Sequence, residues 1–103
     1  MFSTFLLGKI TVNDSVREAM HRTPLDLIAR HAIGEHGDIS PRQEKQNKLS
    51  LRNGGEIRSE YLIDPTDASK GRVSVVTIEG WGETHVSLNQ PKRRKKKTDG
   101  LPV

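Results

Sequence analysis

Two hydrophobic periods divide the chain. Between residues 13 and 52 apolar positions recur at helical spacing, whereas from Ile57 to Leu88 they alternate every second residue. Ahead of both, Phe5, Leu6, Leu7, Ile10 and Val12 give residues 5 to 12 the β-branched and aromatic content of a short strand. Asn13 or Asp14 is placed to cap a first helix reaching about His21, with Val16, Ala19 and Met20 on one side. Thr23 and Pro24 open a second helix, with Pro at its first position, Asp26 in its first turn and Leu25, Ile28, Ala29 and Ala32 or Ile33 as its apolar stripe. Gly34 is the residue type that closes a helix in the left-handed conformation.

A third start signal, Ser40-Pro41-Arg42-Gln43, has the form of a capping box. The helix it opens, to about Arg52, carries only Leu49 and Leu51 as apolar residues, so it is expected on the surface with one edge on the core. Asn53-Gly54-Gly55 ends it. Three alternating stretches follow, around Ile57 to Ile63, Val73 to Ile78 and Thr84 to Leu88, joined by turn-type segments at 64–67 and 80–82. The order β-α-α-α-β-β-β predicts an α+β domain. Its small antiparallel sheet, an N-terminal strand plus a three-stranded meander, is covered on one face by about three short helices.

Composition bounds what such a domain can do. At 103 residues it holds one core, with residues 1–90 as the domain and 91–103 as a tail expected to be disordered. With no Cys there is no disulfide, thiolate metal site or cysteine nucleophile. No apolar run approaches the ~20 residues of a membrane span and the start lacks the form of a signal peptide, so a cytoplasmic location without membrane contact is expected. The net charge of +4 is unevenly spread. Six of the 17 bases, Lys92, Arg93, Arg94, Lys95, Lys96 and Lys97, lie in the tail with one acid, Asp99, leaving eleven bases and twelve acids in a nearly neutral body.

Residues 27–38, with Arg30-His31 and Gly37-Asp38, then Asn47, Leu51, Gly54-Gly55, Ser59, Tyr61, the run 75–77 and the run 84–88, form a pattern. It resembles a family of small uncharacterised proteins carried on bacterial plasmids, integrative elements and prophages. The resemblance spans roughly residues 25 to 88. His36 stands where that family has Trp, Glu35 where it has Asp, Ser74 where it has an aromatic, and the basic tail replaces a closing Leu-Pro-x-Glu-Tyr. What the resemblance implies is an accessory role on a mobile genetic element, and no chemistry.

Arg30, His31, Glu35, His36 and Asp38 are the densest polar cluster. Two imidazoles with carboxylates are the groups of a metal or proton-transfer site. However, His31 and His36 are five apart across a helix terminator rather than on successive turns of one helix. The structural alternative, with His31 against Tyr61 or Trp81 and Asp38 accepting backbone N–H groups, is favoured. Asn47 either bonds the 34–38 loop or is solvated. Gly54-Gly55 lacks the strand, helix and Lys-Ser/Thr of a phosphate loop. Ser59 with His31 and Asp38 has the residue types of a triad, but it sits on a strand without an oxyanion-hole segment.

No catalytic residue, cofactor or metal is therefore assigned, and the chain reads as a non-enzymatic binding protein. Its expected partner is a host protein or nucleoprotein complex, with inhibition of a host defence complex as one concrete form. The candidate surface is Arg30, His31, His36, Asp38, Arg42, Glu44, Lys45, Lys48 and Arg52. The alternative is unspecific nucleic-acid binding by the cationic residues 92 to 97, and a metal-dependent hydrolase ranks last.

Overall fold

The computed structural model describes residues 5–89. In chain order they form β1 (Lys9–Val12), α1 (Asp14–Met20), α2 (Leu25–Ala32), α3 (Pro41–Asn53), β2 (Ile57–Leu62), a 3-10 turn at Ala68–Lys70, β3 (Arg72–Thr77) and β4 (Glu83–Asn89). This is the α+β order read from the two periods. The strands make one open sheet in the order β1-β4-β3-β2.

β2, β3 and β4 pair antiparallel as a meander, but β1 lies parallel to β4, so the sheet is mixed rather than wholly antiparallel. Connectivity explains this. The three helices carry the chain back across one face, so β2 starts in the direction of β1, and two reversals later β4 runs that way again.

Rows across the sheet show how the alternation is used. Ile57, Thr77, Thr84 and Ile10 form one inward row; Ser59, Val75, Val86 and Val12 form the next; Tyr61, Val73 and Leu88 form the third. Val16 of α1 and Leu27 and Ile28 of α2 close over these rows to make the core. The stripe of α2 is therefore Leu27, Ile28, His31 and Ala32, rotated from the one centred on Leu25 and Ala29; Leu25 is 69% exposed. The rotation follows from His31, which the alternation of apolar residues could not count as inward.

Helix ends follow their sequence signals with three differences, the first at α1, where Asn13 takes the cap position but makes no side-chain cap bond. Ile33 ends α2, Gly34 takes φ +89°, and its N–H reaches the His31 carbonyl while the Glu35 N–H reaches that of Arg30, a Schellman closure. Ser40 caps α3 by accepting from the Gln43 N–H at 3.1 Å. The reciprocal half of the capping box is not made, because the Gln43 side chain donates forward to Asn47 Oδ1 at 3.0 Å. At α2 the cap position is Pro24 itself, with no side-chain cap bond, so Thr23 does not act as the cap.

Candidate functional site

The polar residues singled out around α2 and α3 separate into an interior set and an exterior set. His31, fully buried on α2, has both ring nitrogens occupied: Nδ1 lies 2.6 Å from Ser59 Oγ on β2 and Nε2 lies 2.9 Å from Thr77 Oγ1 on β3. His36 Nδ1 meets the same Ser59 Oγ at 2.6 Å. Thr77 Oγ1 meets Thr84 Oγ1 at 2.7 Å, and Thr84 donates to the Leu7 carbonyl at 2.6 Å. Phe5 packs edge-on against the His31 ring with centroids 5.1 Å apart.

Donor counting fixes the direction of this chain. A carbonyl only accepts, so the single Thr84 proton goes to Leu7 and Thr77 must donate to Thr84. Thr77 then accepts from His31 Nε2–H. Burial, with a smaller contribution from His36, pushes the His31 pKa down to about 3, so the ring is neutral and its bare Nδ1 accepts from Ser59. Ser59 in turn accepts from His36 Nδ1–H. His36 is also shifted below the usual histidine value, by burial opposed by the nearby Glu44 carboxylate. Every hydroxyl and every shared ring nitrogen in the series is satisfied with neutral groups, which is what a low-dielectric interior requires.

That arrangement has little capacity for chemistry on a substrate. Ser59 is fully buried, so its hydroxyl is out of reach of an acyl group, and Asp38 does not orient either imidazole. The Asp38 carboxylate instead takes Nε and Nη2 of Arg72 at 3.1 and 2.8 Å, and its backbone N–H donates to the Glu60 carbonyl. The expectation that Asp38 accepts backbone N–H groups is therefore corrected. So is the expected contact of His31 with Tyr61 or Trp81, since its partners are Ser59, Thr77 and Phe5. Among the described residues no group of three or more His, Asp or Glu side chains is placed to hold a metal ion.

Asn47 corrects a further expectation. It is buried, bonding neither the 34–38 loop nor solvent: Nδ2 donates to the Arg58 carbonyl at 2.8 Å and Oδ1 accepts from the Arg58 N–H at 3.0 Å. One side-chain amide thus pairs with β2 as a neighbouring strand would. Glu60, two residues on, has its N–H bonded to the His36 carbonyl, and Gly37 makes a bridge to it. At φ +72° a Cβ on Gly37 would lie 2.2 Å from the Glu60 oxygen, so only glycine permits that approach.

The exterior set is what remains for recognition. Arg30 lies over the Tyr61 ring at 4.8 Å and pairs with Glu35 at 3.4 Å. Arg42, Glu44, Lys45, Lys48 and Arg52 are all exposed on α3, where Lys45, Lys48, Leu49 and Arg52 line a shallow groove of about 350 Å³. His31 leaves the candidate surface altogether, and His36 is partly withdrawn, lining a cleft of about 180 Å³ with Gly34, Glu44, Asn47, Lys48 and Leu51. Residues 92 to 97 lie outside the described residues.

No protein-family model, curated protein or solved structure matches the chain. The residues that sequence reasoning missed are Thr77 and Thr84. Hydroxyls at inward positions of strands otherwise lined by Val and Ile were the available signal, because such a hydroxyl needs a buried polar partner and His31 was the candidate within reach of the same face.

Proposed function

We propose that the protein is a non-enzymatic binding protein that docks on a host protein or nucleoprotein complex through the outward face of α3. The observation that carries this reading is the inversion of α3. Its inner edge is Asn47 and Ser50, while Arg42, Lys45, Lys48 and Arg52 face out without an ion pair among the described residues, and Leu49 among them is 53% exposed. A thirteen-residue helix held to a strand through its polar edge leaves its charged side free for a partner.

The His31 network supports the same conclusion from the other side, because its nitrogens are spent on internal hydroxyls. The accessory role on a bacterial mobile element rests on the sequence resemblance, and inhibition of a host defence complex is its concrete form. No helix among the described residues is long and apolar enough to cross a membrane.

Affinity capture from the native host with the wild-type chain and with Lys45→Glu/Arg52→Glu tests the reading. The wild type is expected to retain a partner that the double variant loses at unchanged thermal stability. Equal capture by both removes α3 from the function.

A further inference from the structure

We propose that the outward face of α3 is a binding site for duplex nucleic acid, with Arg42, Lys45, Lys48 and Arg52 taking the sugar-phosphate backbone. The inference rests on the α3 reading above and names the chemistry that face recognises.

Charge pairing across the molecule is the first argument. Every described arginine outside α3 has a carboxylate within 4.0 Å: Arg17 with Asp14, Arg22 with Asp26, Arg30 with Glu35, Arg58 with Glu56 and Glu60, Arg72 with Asp38. None of the four cations of α3 does. The acid on that helix, Glu44, sits on the flank toward His36, whose pKa it acts on. Outside that helix only two described lysines lack such a partner: Lys70, which still acts on the Asp64 and Asp67 carboxylates, and the single Lys9 of β1, so the cluster of unpaired cations lies on one helix face.

Placement is the second. At 100° per residue, Asn47 and Ser50 mark the buried edge, and Lys45 and Arg52 point almost directly away from it, with Lys48 and Leu49 on either side and Arg42 at the start. From Arg42 to Arg52 the axis rises about 15 Å, the length of about four base-pair steps at 3.4 Å each. Asn47, clamped to both backbone groups of Arg58, holds that face rigidly on β2.

Composition of the face then separates a nucleic acid from an acidic protein. Protein interfaces are anchored by aromatic residues and are poor in lysine at their centres. Here a lysine and an arginine hold the centre. The described aromatics are elsewhere: Phe5 and Tyr61 are buried and the Trp81 indole N–H is tied to the Gly55 carbonyl at 2.9 Å. Cations without an aromatic anchor match phosphate, which contributes affinity without base reading. Leu49 is compatible, since a major groove offers thymine methyl groups to apolar side chains.

The test is fluorescence anisotropy with a 20-base-pair random-sequence DNA duplex, using the full chain and a full-length variant with Ser at all six basic positions from 92 to 97. The six-Ser variant is expected to keep binding at low salt. Its log K against log salt slope should be about −3.6, from about 0.9 per phosphate contact. Adding Lys45→Gln/Arg52→Gln should flatten that slope by about 2 and weaken low-salt binding by about tenfold or more, with an unchanged melting curve. Loss of all binding in the six-Ser variant, an unchanged slope in the α3 variant, or equal displacement by poly-L-glutamate overturns the inference. If DNA binding fails while host capture still depends on Lys45 and Arg52, the nucleic-acid assignment falls and the docking role of α3 stands.

Discussion

Along β2, at one edge of the sheet, the outward backbone groups of Arg58 are held by Asn47 and those of Glu60 by the His36 carbonyl and the Asp38 N–H. Along β1, at the other edge, Lys9 and Asn13 donate to the Gly82 and Val86 carbonyls, so it is the backbone groups of Ile10 and Val12 between them that point to the open edge. Arg17 covers the Val12 carbonyl at 3.2 Å. Leu6 and Ile10 there are 69% and 44% exposed. The sealed edge uses the residues that looked most like a site, an asparagine on a polar helix and a Gly-Asp loop beside two histidines. The open edge uses residues without chemistry. Polar density in this sequence therefore marks where a strand edge has to be closed, because an unpaired buried N–H or carbonyl costs more than the side chain that satisfies it.

The strongest way to break the contrast is Asn47→Leu. Leucine fills the space but leaves the Arg58 N–H and carbonyl unpaired under α3, at about 1–3 kcal/mol for each group. A loss of about 3 kcal/mol in urea denaturation is expected, with fast amide exchange appearing at Arg58. A change below about 1 kcal/mol would show that α3 is held by something other than this amide.

How much was legible follows from the same two edges. The switch from a 3.6 to a 2.0 period placed the helices and the meander, and Ser40, Gly34 and Gly54 marked helix ends where φ and cap bonds later agreed. The parallel seat of β1 was not legible, because four residues of alternation carry no direction. Nor was the role of Asn47. An amide on a polar helix looks solvated until it is known that β2 is an edge strand with two groups to fill. His31 was misplaced for a related reason: an apolar stripe counts only apolar residues, and its inward partners Ser59 and Thr77 lie 28 and 46 residues away.

A second test loosens the sealed edge from inside. The 36–38 loop is fastened through His36 to Ser59 and His31. With His31 at about 3 when folded and near 6.5 when unfolded, stability is flat above about pH 6.5. It falls as the pH drops toward 3, because the unfolded chain then binds a proton that the folded chain refuses. At about 1.4 kcal/mol per unit, His31 alone costs about 2–3 kcal/mol between pH 6.5 and 4.5. Urea denaturation across that range should show the slope, and imidazole nitrogen NMR should find Nε2–H in His31 and Nδ1–H in His36. Retained stability at pH 4.5, or a charged His31 in the folded protein at that pH, would contradict the neutral chain.

The smallest effect is expected at the open edge. Ile10 faces the same inward row as Thr84, yet much of its side chain is already in water and none of its backbone bonds depends on that side chain. Ile10→Lys removes part of one apolar contact and lets the ammonium stay solvated, so the loss should stay within about 1 kcal/mol. Amide protection at Arg58 and Glu60 should not move, because the coupling between edges runs through two central strands whose ladders are untouched. Lysine on an exposed strand edge also opposes strand addition by another chain, so the variant is expected to be no more prone to association in sedimentation than the wild type. A destabilisation matching that of Asn47→Leu would mean that β1 is held as tightly as β2, and the two edges would no longer differ in kind.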